Sequence, residues 1–150
     1  MRSEKNIGNA LRKAIDEKVV SRDEIVIATK GGFLPAHPKD YITNGICNAE
    51  DIVANCHCMT PQYLQNQLNQ SLENLGVEAV DIYFIHNPET QLSEISRQEF
   101  LKRMNAGFQF LEKQVQAGKI QFYGTATWDG YRKEEGKRGY LSLEELIGLR

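Results

Sequence analysis

The sequence predicts an α/β fold of about three parallel strands with alternating helices. Three observations carry that reading. Apolar runs of strand length recur at 24–30, 79–86 and 119–128. Each is separated from the next by a stretch whose apolar residues repeat at helical spacing. No two strand-like runs follow each other directly, so every connection is long enough for a crossover that returns the chain parallel and right-handed.

The elements can be justified in order. From Ser3, the apolar residues Ile7, Leu11, Ala14 and Ile15 recur at helical spacing with charged residues between them, which predicts an amphipathic helix. Glu24–Lys30 (EIVIATK) is a β-branched run with little alternation, as in a strand covered on both faces. From Gly31 to Met59 no periodicity is sustained, and Gly31, Gly32, Pro35, Pro38 and Gly45 fall in the stretch. It is expected to be a long loop, and structureless loops of that length are often functional.

Thr60 and Pro61 are an N-cap and a first helical residue, Leu64, Leu68, Leu72 and Leu75 form a stripe, and Gly76 suits the left-handed C-terminal position. Ala79–His86 (AVDIYFIH) is the second strand. The helix after it should bury Phe100, Met104, Phe108, Leu111 and Val115 and stop at Gly118. Lys119–Trp128 (KIQFYGTATW) is the third strand. A polar turn then leads to a short helix opened by Ser142 and Glu145 as a capping box.

With 150 residues, 41% of them hydrophobic, the chain can supply one core. A net charge of -2 and a pI near 5.9 give no positive field for nucleic acid or an anionic membrane, so neither is an expected partner. No run reaches the length of a membrane span and the N-terminus lacks the apolar core of a signal peptide, which makes a cytoplasmic location the expectation. Three cysteines, Cys47, Cys56 and Cys58, suit reduced thiols. Cys56-His57-Cys58, with His37 as a fourth ligand, matches zinc spacing poorly, and no metal is expected.

Two architectures fit alternating strands and helices: a doubly wound open sheet and a (β/α)8 TIM barrel. Neither G-x-G-x-x-G nor G-x-x-x-x-G-K-[ST] occurs after the first strand. Each strand ends instead on a distinctive group: Lys30, His86, and Thr127 with Trp128. In a parallel α/β architecture those ends share one face, where active sites are assembled. For one histidine alone, a strand end bonded to a loop is the better reading. Lys30 at the equivalent place of the neighbouring strand shifts the balance toward a site.

IVIATK, the helix and strand SLENLGVEAVDIYFIHNPE, and GKIQFYGTATW resemble successive motifs of the aldo-keto reductase family, and RSEKNIGNALRKAI resembles the helix that follows the family's first catalytic residues. The resemblance covers roughly Arg2 to Arg132 and lies in the combination of strand ends. It implies part of a (β/α)8 barrel and an oxidoreductase that interconverts carbonyls and alcohols with NADPH or NADH, on a small-molecule carbonyl substrate. The family's catalytic set is an aspartate, a tyrosine, a lysine and a histidine. Lys30 matches the lysine, which would keep the tyrosine phenol acidic enough to exchange its proton. His86 matches the histidine, which would orient and polarise the substrate carbonyl.

The family's aspartate and tyrosine would fall before Met1, and Tyr41, Tyr63 and Tyr83 do not match the catalytic tyrosine. Where the family places serine and asparagine for the nicotinamide amide, this chain has Ala126 and Thr127, so Thr127 and Trp128 are the candidate cofactor contacts. Residues 1–150 are therefore expected to be a single segment of such a barrel, truncated at both ends and inactive on its own. Its open sheet edges are expected to allow self-association. The alternative is a non-enzymatic remnant or interaction protein that keeps the scaffold.

Overall fold

A computed structural model describes residues 2–149. Its centre is a three-stranded sheet in the order β1-β2-β3, with β1 at Ala28–Gly31, β2 at Val80–His86 and β3 at Ile120–Ala126. Both pairings are parallel. Ala28 lies opposite Ile82 and Lys30 opposite Phe84, while Ile82, Phe84 and His86 lie opposite Phe122, Gly124 and Ala126. This is part of an α/β barrel with both outer edges open.

Helix α1 (Arg2–Asp16) precedes β1, α3 (Pro61–Leu75) joins β1 to β2, and α4 (Arg97–Gln116) joins β2 to β3. All three cover one face of the sheet. Tyr83 and Ile85 point into that side and are fully buried with Leu64, Leu68, Met104 and Leu111. Gly107 makes the fit possible, since a Cβ there would stand 3.2 Å from Ile85 Cδ1. Helix α3 begins and ends as its sequence requires: Thr60 Oγ1 accepts from the Tyr63 amide and Gly76 adopts φ 68°.

Several expectations need correction. The first strand starts three residues later than the run from Ile25 implies. Ile25 and Ile27 pack toward the helices, but Val26 is 72% exposed. The opposite face of this open sheet is uncovered, so the continuous apolar runs are half-buried strands rather than strands covered on both faces. In α1, Ile7 is 57% exposed, and the seam toward α3 is formed by Glu4, Gly8 and Leu11 instead. A Cβ on Gly8 would lie 2.6 Å from the carbonyl oxygens of Asn74 and Leu75, so only glycine lets the two helices approach this closely. Phe110 is buried in α4, while Phe108 and Val115 are only partly so.

The segment from Gly31 to Met59 is ordered. It contains the short helix α2 (Pro38–Thr43), a 3₁₀ turn at Ala49–Asp51 and antiparallel bridges from His57 to Phe33 and Val53. Tyr41, Cys47, Cys58 and Tyr63 give it a small core of its own. Prolines, glycines and short elements hide that order from any test of periodicity. The closing helix α5 (Leu143–Ile147) is capped by Ser142, whose hydroxyl accepts from the Glu145 amide. The Glu145 carboxylate pairs with Arg97 across the fold.

Candidate functional site

Lys30 and His86 lie on the uncovered face near the C-terminal ends of adjacent strands. Lys30 pairs in register with Phe84, and His86 follows two residues later on the same face of β2. Lys30 is exposed and has no hydrogen bond or ion pair with any described residue. The His86 ring is half-buried and likewise carries no hydrogen bond among the described residues. Its pKa is held below the ordinary histidine value, first by burial and then by the Lys30 charge. A neutral imidazole beside an ammonium can donate one N–H to a carbonyl oxygen without itself being an acid at neutral pH.

The backbone and ring of His86 are held from below by residues that spacing alone did not single out. Phe33 meets the His86 ring edge-on at 4.9 Å and the His57 ring at 5.1 Å. His57 is fully buried, and its Nε2 lies 2.8 Å from the His86 carbonyl oxygen. A carbonyl can only accept, so Nε2 carries the proton. Nδ1 then accepts from the side-chain amide of Gln91 at 2.9 Å, and Gln91 Oε1 in turn accepts from Arg103 at 3.0 Å. Burial pushes the His57 pKa down to about 4, which keeps this tautomer neutral. Gly32, at φ 131°, sits where a Cβ would lie 2.9 Å from His57 Nε2 and 3.2 Å from the His86 oxygen.

His57 therefore turns to the strand end and away from a shared site with Cys56 and Cys58. Cys47 and Cys58 are buried thiols beside Tyr41 and Tyr63, and burial pushes Cys47 up to about 11. His37 caps α2 by accepting from the Lys39 amide. Among the described residues no group of three or more histidine, cysteine, aspartate or glutamate side chains is placed to hold a metal ion.

Thr127 and Trp128 follow β3 at the same end of the sheet. The Thr127 hydroxyl donates to Glu89 and accepts from the Gly130 amide at 2.9 Å, leaving one lone pair on its oxygen. Trp128 is 78% exposed and lines a cleft of about 350 Å³ with Asn87, Glu89, Asp129, Lys133 and Arg138. Asn87 takes a left-handed conformation, φ 45°, as the chain turns off β2, and its amide donates to the Ala126 carbonyl. Tyr41, Tyr63 and Tyr83 are buried, with pKa values pushed upward mainly by that burial, the reverse of what a proton-donating tyrosine needs.

Helix-backed parallel strands in this order define a segment of a barrel-type α/β fold. The sequence profile of the aldo/keto reductase family matches residues 1–137, and the chain belongs to that family. It is 28% identical to the NAD(P)H-dependent D-xylose reductase of Scheffersomyces stipitis, in an alignment covering 85% of this chain and 38% of that protein. It is 26% identical to the L-glyceraldehyde 3-phosphate reductase of Escherichia coli, covering 89% and 30%. The chain thus spans about a third of the length of the curated relatives it matches. Among solved structures, a holo aldo-keto reductase from Bacillus halodurans shares the fold at TM-score 0.54 and 19% identity, over 83% of this chain and 32% of that one. An aldo-keto reductase of Bombyx mori in complex with NADP does so at 0.52 and 19%, over 83% and 32%.

Proposed function

We propose that Lys30 and His86 are the lysine and histidine of a carbonyl-reducing site that works with NADPH or NADH on a small aldehyde or ketone. The observation that carries this reading is their placement: an unpaired cation and an unpaired neutral imidazole on one uncovered face, at neighbouring strand ends. Two relatives are named as reductases, one of D-xylose and one of L-glyceraldehyde 3-phosphate, and a fold neighbour is seen with NADP. A nicotinamide cofactor, when bound, supplies the hydride. Trp128 offers an exposed flat ring and Thr127 one lone pair for a carboxamide N–H, so these two residues suit the nicotinamide end. His86 donates its N–H to the substrate oxygen and fixes the carbonyl for attack. Lys30 places a positive charge where negative charge grows and would keep a neighbouring phenol acidic.

The 150-residue chain alone is proposed to be inactive, because Tyr41, Tyr63 and Tyr83 do not supply the proton donor and such a donor is worth about 10²–10⁴-fold in rate. Its free β3 edge, beside an apolar groove of about 1030 Å³ lined in part by Phe108, Phe122, Tyr123, Leu146 and Ile147, favours self-association. Among the described residues no helix is long and apolar enough to cross a membrane, and a cytoplasmic location is proposed.

Titration with butanone, followed by ring-nitrogen NMR, tests the site. A saturable shift of the His86 signal, lost in Lys30→Met or met equally by His57, separates the outcomes: the first supports the assignment and the second removes it. Oxidation of NADPH and NADH with a panel of aldehydes should show no saturable turnover by the chain alone. Turnover abolished by Lys30→Met or His86→Ala would contradict the inactive reading while supporting the residue roles.

A further inference from the structure

The polar chain beneath β2 is more elaborate than a core histidine requires. His57 and Gln91 are both fully buried, come from the bridged 31–59 segment and from the 3₁₀ turn Pro88–Ser93 after β2, and have their side-chain hydrogen-bonding groups committed to one another, to His86 or to Arg103. Arg103 ties the far end to α4, bonding Glu99 at 3.0 Å and the carbonyls of Glu50 and Asp51. The near end is a single donor, His57 Nε2–H, set against the carbonyl of the residue whose ring faces the open side. Gly32 is the second independent sign, because the space between that donor and its acceptor admits no side chain.

We propose that His57 is a positioning residue for His86, fixing the end of β2 through the Nε2–H to carbonyl bond so that the His86 ring stays against Phe33 and beside Lys30. The inference rests on the role given to His86 above, but it concerns only where the ring is held. A buried polar network with every member satisfied rigidifies what it touches, whereas one broken member leaves the rest with unpaired groups. Rigid placement matters here because a hydrogen-bond donor to a reacting carbonyl must keep its geometry within a fraction of an ångström to be useful. The neighbouring loop also gains: His57 pairs with Phe33 and Val53 in its two backbone bridges, so one residue couples the 32–59 excursion to the strand end.

The test uses two amides that mimic different halves of the imidazole. In His57→Gln the side-chain nitrogen falls near the position of Nε2 and can still donate to the His86 carbonyl. In His57→Asn it falls near Nδ1 and cannot. Ring-nitrogen NMR of the wild-type chain should show His57 as a neutral Nε2–H tautomer at pH 7, with a slowly exchanging proton. In His57→Asn the His86 titration midpoint should rise toward the ordinary value of 6.5 and its contact with Phe33 should be lost, as the ring leaves its half-buried place near Lys30. His57→Gln should keep both close to wild type. Cooperative melts of the two variants report folding separately, and both are expected to fall by similar amounts. A wild-type Nδ1–H tautomer or imidazolium would overturn the proposal without any variant. So would identical His86 midpoints in the Gln and Asn variants. None of these readouts needs cofactor or turnover, so the proposal can fail while the reductase reading stands, and the reverse.

Discussion

The two ends of the same small sheet treat their charged groups in opposite ways. At the N-terminal end, Asp81 pairs with Arg22 at 2.9 Å, accepts from the Ile27 amide at 2.7 Å and takes a further bond from Gln121. Arg22 also bonds the carbonyls of Ile25 and Ala79, so one ion pair stitches the approach to β1, the start of β2 and the start of β3. At the C-terminal end, Lys30 and the His86 ring have no hydrogen-bonding partner among the described residues, and Trp128 stands in the open. Folding explains the first end completely. At the second, an exposed ammonium and a half-buried imidazole lie at neighbouring strand ends without a protein partner among the described residues, the arrangement the proposed carbonyl site would use.

That contrast can be broken by substitution and by acid. The largest effect is expected from pH, acting on the scaffold beneath the open C-terminal end. The folded His57 pKa of about 4 lies below its unfolded value of 6.5, so between those values the unfolded chain binds more protons. Stability is full above pH 6.5 and is lost as pH falls toward 4, by at most ~3 kcal/mol from this group. Urea denaturation at a series of pH values measures it, and the His57→Gln variant should lose that slope.

Next comes the ion pair at the structural end. Asp81→Ala strands Arg22 and the Ile27 amide and should cost about 2 kcal/mol, read as a lower urea midpoint with unchanged slope. A smaller loss is expected from Glu4→Gln. Glu4 accepts from Thr29, Ser71 and Asn74 and ties α1 to β1 and α3, and these three bonds outweigh the effect of burial and hold its pKa below the usual carboxylate range. Losing the negative charge should cost about 1 kcal/mol. The smallest effect should come from the open C-terminal end: Lys30→Met should change stability by no more than about 0.5 kcal/mol, because it breaks no partner among the described residues. A loss comparable to that of Asp81→Ala would mean that Lys30 is structural after all.

The sequence made the helix-covered half plain. Thr60, Pro61, the leucines of α3 and Gly76 each do what their chemistry predicts, since capping and helical periodicity act over a few residues. Parallel order and the shared end of Lys30 and His86 followed from crossover lengths, which depend little on detail. What spacing could not show was the segment 31–59, where bridges replace periodic elements, and the part played by His57. Cys56-His57-Cys58 invites a metal question, while the partners of His57 lie 29 and 34 residues further along the chain. Only a fold brings such residues together. The displaced start of β1 has a similar cause: an uninterrupted β-branched run says strand, but nothing in it says that one face stays uncovered.

The most direct measurement of the account is the titration of the His86 imidazole by NMR, in the wild-type chain and in Lys30→Met. Lys30 and His86 are expected to share one electrostatic environment at the strand ends. The wild-type midpoint should then lie below 6.5 and move up on removal of the lysine charge, yet stay below 6.5 because burial is the larger cause. An unchanged midpoint in Lys30→Met, or a wild-type midpoint at or above 6.5, would contradict it.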